Sequence, residues 1–141
     1  MTHKTYIILI LISTLTFINC SSSKKAVIAS EVIYDAHTRG RFEKITLVSN
    51  NLTYKTRQKS EIITISEEQK NSLNKEISKI ELNKIDKLTA PTNKRLHDGA
   101  MHTFISIKQG EELYTSITFD DTNPPAELLP LCNLIKSFIK K

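Results

Sequence analysis

The stretch that most constrains this chain is Tyr6–Cys20, YIILILISTLTFINC. Thirteen largely apolar residues, Tyr6 to Ile18, follow a short N-terminal region whose one formal charge is Lys4. A membrane-spanning helix needs roughly 20 apolar residues, so this run is short for one. It fits the apolar core of a secretory signal, usually ~7–15 residues long. Such a segment takes no part in a mature fold. What then remains, Cys20 to Lys141, is 122 of the 141 residues. That is enough for one domain with a single modest core.

Cys20 closes the apolar run, and Ser21, Ser22, Ser23, Lys24 and Lys25 open a polar stretch directly after it. The arrangement resembles the lipobox of bacterial lipoproteins, where cleavage falls just before the cysteine. Its sulfur and new amino group are then acylated. Phe17 and Ile18 stand where that motif has a large and then a variable residue; Asn19 stands where a small one is usual. Two alternatives remain open: cleavage by ordinary signal peptidase after Ala29, and an uncleaved N-terminal anchor. The resemblance implies a covalent lipid on Cys20, and no other cofactor is expected. Each buried CH₂ contributes ~0.8 kcal/mol and one acyl chain holds only marginally, so two or three chains make a lasting anchor. The organisation is therefore a signal segment 1–19, a small and basic tether 20–30, and one domain 31–141.

Lys and Arg total 20 and Asp and Glu 15, so loss of Lys4 takes the formal charge from +5 to +4. The excess is spread along the chain. It suits anionic lipid heads or envelope polymers, while no basic run is dense enough for nucleic acid. With Cys20 acylated, Cys132 has no partner. An oxidising compartment would favour a disulfide, so the lone thiol is expected to be protected by burial.

Glu31–Thr38, EVIYDAHT, reads as a strand with poor alternation. Phe42–Ser49, FEKITLVS, reads as a clearer one, with Ile45 and Leu47 on one face. Asn50-Asn51 predicts a type I′ turn, because Asn tolerates the left-handed region. That register sets Leu47 opposite Tyr54 and Ile45 opposite Thr56. Glu61–Ile65, EIITI, is rich in β-branched residues. Ser66-Glu67-Glu68-Gln69 is a capping box that starts a helix, and Leu73, Ile77 and Ile80 line its apolar face. Leu82, Ile85 and Leu88 are expected to pack as the helix ends, and Asn93–Gly99 to form a polar loop. Met101–Lys108 and Glu112–Asp120 form a hairpin with a loop of three or five residues, pairing Ile107 with Leu113 and Ile105 with Thr115. Asn123 can cap a last helix, whose alternative start is Pro130. The order predicts an α+β domain: an antiparallel sheet of about six strands with two helices packed on one face.

Residues 31–139 are similar to small lipoproteins of the Bacteroidota. TRGRFEKI at 38–45, APTNKRLHDGA at 90–100 and FDDTNPPAEL at 119–128 carry the resemblance. It implies an envelope location and an α+β fold. It brings no reaction, and no catalytic residue transfers from it.

Two polar groups are the candidates for chemistry. Arg39 and Arg41, with Lys94 and Arg95, could form a basic patch for a phosphate or carboxylate. His97, Asp98, His102, Asp120 and Asp121 could share one end of the hairpin, where imidazole and carboxylate together suit zinc or a similar ion. Their spacing matches no specific zinc motif, and the competing reading is a solvated loop closed by Asp98. Within that loop Asp98 is expected to bond backbone N–H groups, and Arg95 to be exposed. No serine stands in a nucleophile elbow and no glycine-rich phosphate loop occurs.

The sequence therefore favours a monomeric, membrane-anchored binding domain of the cell envelope, of the interaction, inhibitor or immunity type. Its partners are the membrane through the lipid and an envelope protein or anionic polymer. The expected place is the outer membrane, facing the periplasm. The alternative is a small metal-dependent hydrolase built on the His/Asp group. Intact-mass analysis of the native protein is expected to show a lipidated N-terminus at Cys20, lost in Cys20→Ser; an unmodified N-terminus at Ser30 would overturn the anchor.

Overall fold

The computed structural model describes residues 28–139. The signal segment, Cys20 with its expected lipid, and the tether as far as residue 27 lie outside the described residues.

Seven strands form one antiparallel sheet: β1 Glu31–His37, β2 Phe42–Val48, β3 Asn51–Thr56, β4 Ser60–Thr64, β5 His102–Gln109, β6 Glu112–Thr115 and β7 Phe119–Asp120. The order is β4-β3-β2-β1-β5-β6, and β7 also pairs with β5. Two helices, α1 Glu67–Ile77 and α2 Leu129–Ser137, add their buried residues to the core on one sheet face. This is the α+β class expected from the order of elements.

β1 lies at the centre. Val32 sits between Leu47 and Ile107, and Tyr34 between Ile45 and Ile105. Val32, Tyr34 and Ala36 are all buried, so β1 alternates regularly. The sequence hides this because Ile33, on the opposite face, is also apolar.

The β2–β3 turn is Ser49-Asn50, one residue earlier than the Asn-Asn pair suggests. Leu47 pairs with Leu52 and Ile45 with Tyr54. Ser49 takes the left-handed position with φ 56°. The shift relative to expectation is two residues in register, so every side chain keeps its face. It is favoured because Leu52 then becomes fully buried.

Ser66 caps α1 as the sequence predicts: its Oγ accepts from Gln69 N at 3.2 Å, and Gln69 Oε1 accepts from Ser66 N at 2.8 Å. Leu73 and Ile77 are buried. The chain then leaves the helix, and a separate 3-10 turn, Leu82–Lys87, buries Ile85. α2 begins at Leu129, with Pro130 in its first turn. Asn123 is not its cap; its N–H donates to Asp120 O at 2.8 Å instead. Cys132 is buried on α2, and burial pushes its thiol up to about 12.

The second hairpin departs from expectation. Its loop is two residues, Gly110-Glu111, with Gly110 at φ +62°, so Lys108 pairs with Leu113 and Ile107 with Tyr114. Leu113 is consequently exposed. The alternation Leu113–Thr115–Ile117–Phe119 is broken by a bulge. Ser106 pairs with Thr115 but Thr103 with Phe119, so Ser116, Ile117 and Thr118 oppose only Phe104 and Ile105. Ser116 stabilises the bulge: its N donates to Ile105 O at 2.9 Å and its Oγ accepts from Ile105 N at 3.0 Å. The extra residue turns Phe119 into the core.

Ser116→Ala leaves the buried Ile105 N–H without that acceptor. It is expected to destabilise the domain by about 1–3 kcal/mol in denaturant unfolding; an unchanged midpoint would show that the bulge stands without it.

Candidate binding site

The best-connected polar group is Asp120, on β7 opposite His102. Its carboxylate is fully buried and accepts four hydrogen bonds, from Thr92 Oγ1 (2.5 Å), Lys94 N (2.8 Å), Arg95 N (3.1 Å) and Arg95 Nη1 (3.0 Å). Arg95 Nη1 also donates to Thr92 O at 2.7 Å. Burial by itself pushes the carboxyl up. The Thr92 hydroxyl, the Arg95 N–H and guanidinium and the Lys94 N–H outweigh it and hold the carboxyl well below the usual carboxylate range. This cluster ties the 3-10 turn Lys94–His97 to the end of the sheet.

The expected roles of Arg95 and Asp98 are thus corrected. Arg95 is ion-paired, with its side chain only 12% exposed. Asp98 is exposed and ends the turn at φ 57°, a conformation Asp tolerates. Asp120, not Asp98, binds the backbone N–H groups, because the pairing of β7 with β5 carries it under the turn.

The other candidates separate. His102 stacks on His37, ring centroids 6.1 Å apart. His97 is exposed. Asp121 Oδ1 accepts from Met101 N at 2.9 Å. Among the described residues, no three His, Cys, Asp or Glu side chains form a group that could hold a metal.

The sheet has two distinct ends. At the Glu31 end the chain enters from the tether: Ser30 N donates to Lys108 O at 2.9 Å, and Ala29 N to Asn74 Oδ1 at 3.4 Å. At the His37 end, roughly 20 Å away at 3.2–3.4 Å per residue, lie the turn 38–41, the loop 57–59 and the turn 94–97. Arg39, Arg41, Arg57 and Lys94 are exposed there. None of the four belongs to an ion pair among the described residues.

A hollow of about 340 Å³ opens at this far end, lined by Arg41, Phe42, Glu43, Tyr54, Thr56, Gln58, Met101 and Asp121. Sequence reasoning named Arg41 and Asp121 but missed Glu43, Tyr54 and Tyr34. Glu43 carries a legible signal, since it occupies a core-face position in line with Ile45 and Leu47. Burial raises the Tyr54 phenol, and the Glu43 charge raises it further.

Tyr34, between Ile45 and Ile105, is fully buried, and its hydroxyl has no hydrogen-bond partner among the described residues. Burial pushes the phenol up and the Glu43 charge adds to this, while the Thr103 hydroxyl acts the other way. The Thr103 hydroxyl nearby is turned to Met101 O at 3.5 Å. Lys136 Nζ sits 4.9 Å from the Tyr34 ring centroid and donates to Asp121 O at 3.3 Å. Behind the sheet, the face without helices carries exposed Phe42, Val48, Ile62 and Leu113 beside Lys44 and Lys55.

Comparison with protein-family models, with curated proteins and with solved structures finds no match. Among the described residues, no helix is long and apolar enough to cross a membrane.

Removing Asp120 leaves the Arg95 guanidinium without its charge partner. Asp120→Ala is expected to cost about 3–5 kcal/mol at pH 7, while Asp98→Asn stays within about 0.5 kcal/mol. The lowered carboxyl contributes stability above its unfolded value near pH 4, and that contribution falls away as pH drops below it. Unfolding curves of the wild type and Asp120→Ala should therefore converge in acid. A constant gap from pH 7 to pH 2 would contradict this role.

Proposed function

We propose that this chain is a lipid-anchored lipoprotein of the cell envelope, held by Cys20, whose domain binds an anionic envelope component. The carrying observation is the placement of charge: Arg39, Arg41, Arg57 and Lys94 stand exposed at the sheet end opposite the tether. An anchored domain that carries four exposed cations on its far end, unpaired among the described residues, is suited to a partner beyond the membrane surface. The eleven residues 20–30 reach at most roughly 36–40 Å when extended, which leaves that end accessible. The membrane is the outer one and the domain faces the periplasm in this reading.

The function is binding rather than catalysis. The hydrolase alternative needs His97, Asp98, His102, Asp120 and Asp121 to act together, and Asp120 is saturated by its hydrogen bonds to the turn.

The test is crosslinking from native membranes, comparing wild type with the triple variant Arg39→Ala, Arg57→Ala, Lys94→Ala. Exposed substitutions should leave stability within about 0.5 kcal/mol each. Capture by the wild type should weaken as salt rises and screening shortens, and the triple variant should capture at least about tenfold less. Equal, salt-independent capture by both proteins would sink the reading.

A further inference from the structure

The hollow at the far end has a charge pattern that restricts its ligand. Glu43 and Asp121 line it with negative charge and Arg41 with positive charge. None of the three belongs to an ion pair among the described residues. A simple anion would meet Arg41 but face two carboxylates. A divalent cation would meet two carboxylates but face a guanidinium, with no third acid or histidine to complete its shell. A ligand carrying both charges satisfies all three groups.

Tyr54, half-buried, lines the same hollow. A phenol oxygen can accept a hydrogen bond from an ammonium or donate one to a carboxylate. The Tyr54 ring adds an aromatic face, against which an ammonium or a short apolar stem packs favourably. The volume, about 340 Å³, is at the small end of ligand sites.

We propose that this hollow binds a ligand bearing a primary ammonium and a carboxylate together, either a free amino acid or a short peptide. The ammonium lies against Glu43 and Asp121, and the carboxylate against Arg41. This deepens the reading of the far end as the binding end. There the exposed arginines and lysine draw in an anionic partner, and the hollow recognises its charged tip.

The experiment is calorimetric titration of the mature lipidated protein in detergent with L-alanine and with L-alanyl-L-alanine. Their N-acetylated and C-amidated forms serve as comparisons. Saturable binding of either unblocked compound is expected, weakened at least about tenfold by either blocking group. Binding of alanine identifies a free amino acid as the source; binding of the dipeptide alone identifies a peptide. Glu43→Gln and Arg41→Ala should each weaken binding about tenfold. Tyr54→Phe, which keeps the ring and removes the hydroxyl, should weaken binding and leave the fold intact. No saturable binding up to about 10 mM, a level that would detect even millimolar affinity, overturns the proposal. So does binding that survives acetylation. Salt-sensitive envelope capture that persists when titration fails would leave the anionic partner standing and remove only the hollow's ligand.

Discussion

The one-residue bulge at Ser116–Thr118 decides where the far end of the molecule puts its chemistry. Side chains alternate along a strand, so one extra residue exchanges the faces of everything after it. Here it sends three consecutive residues to three destinations. Phe119 enters the core, Asp120 passes under the turn Lys94–His97, and Asp121 reaches the hollow. Ser116 supports this by bonding Ile105 through both its backbone N–H and its hydroxyl. Without the bulge, Phe119 would face the side of the sheet that no helix covers.

Asp120 and Tyr34 show how differently buried polar groups can be treated within one small domain. A buried carboxylate is tolerable only when it is paired and hydrogen-bonded. Asp120 meets that condition with four donors, and so fastens a connection that has little helix of its own. Tyr34 meets no such condition at its hydroxyl, although its ring is packed between Ile45 and Ile105 and covered by the Lys136 ammonium. One group locks the far end in shape, and the other leaves an unused hydrogen bond in the core.

The two ends of β1 meet different parts of the chain. Ser30 and Ala29 bind the entry of the chain to β5 and α1. The arginines of the turn 38–41 lie at the other end of the same strand. A rigid central strand thus sets the distance between the entry of the chain and the charged turn at the far end.

The sequence by itself determined the class, the main elements, the capping box of α1 and the burial of Cys132. All of these follow from local periodicity or from contacts within a few residues. Ser66 and Gln69 are three residues apart, and Leu73 and Ile77 recur at helical spacing, so their partners are visible in one dimension. Only the tertiary structure decided the registers of both hairpins, the bulge and the assignment of roles at the far end. The Ser49-Asn50 turn and the two-residue loop at Gly110 were selected by what Leu52 and Tyr114 meet across the sheet. Arg95 looked free because its partner, Asp120, is distant in sequence and is aimed by a bulge with no mark of its own. Glu43 alone left a trace, as an acid in line with apolar neighbours. A long-range carboxylate finds its partners through strand register, and register is settled by the burial of the whole sheet rather than by any single stretch of chain.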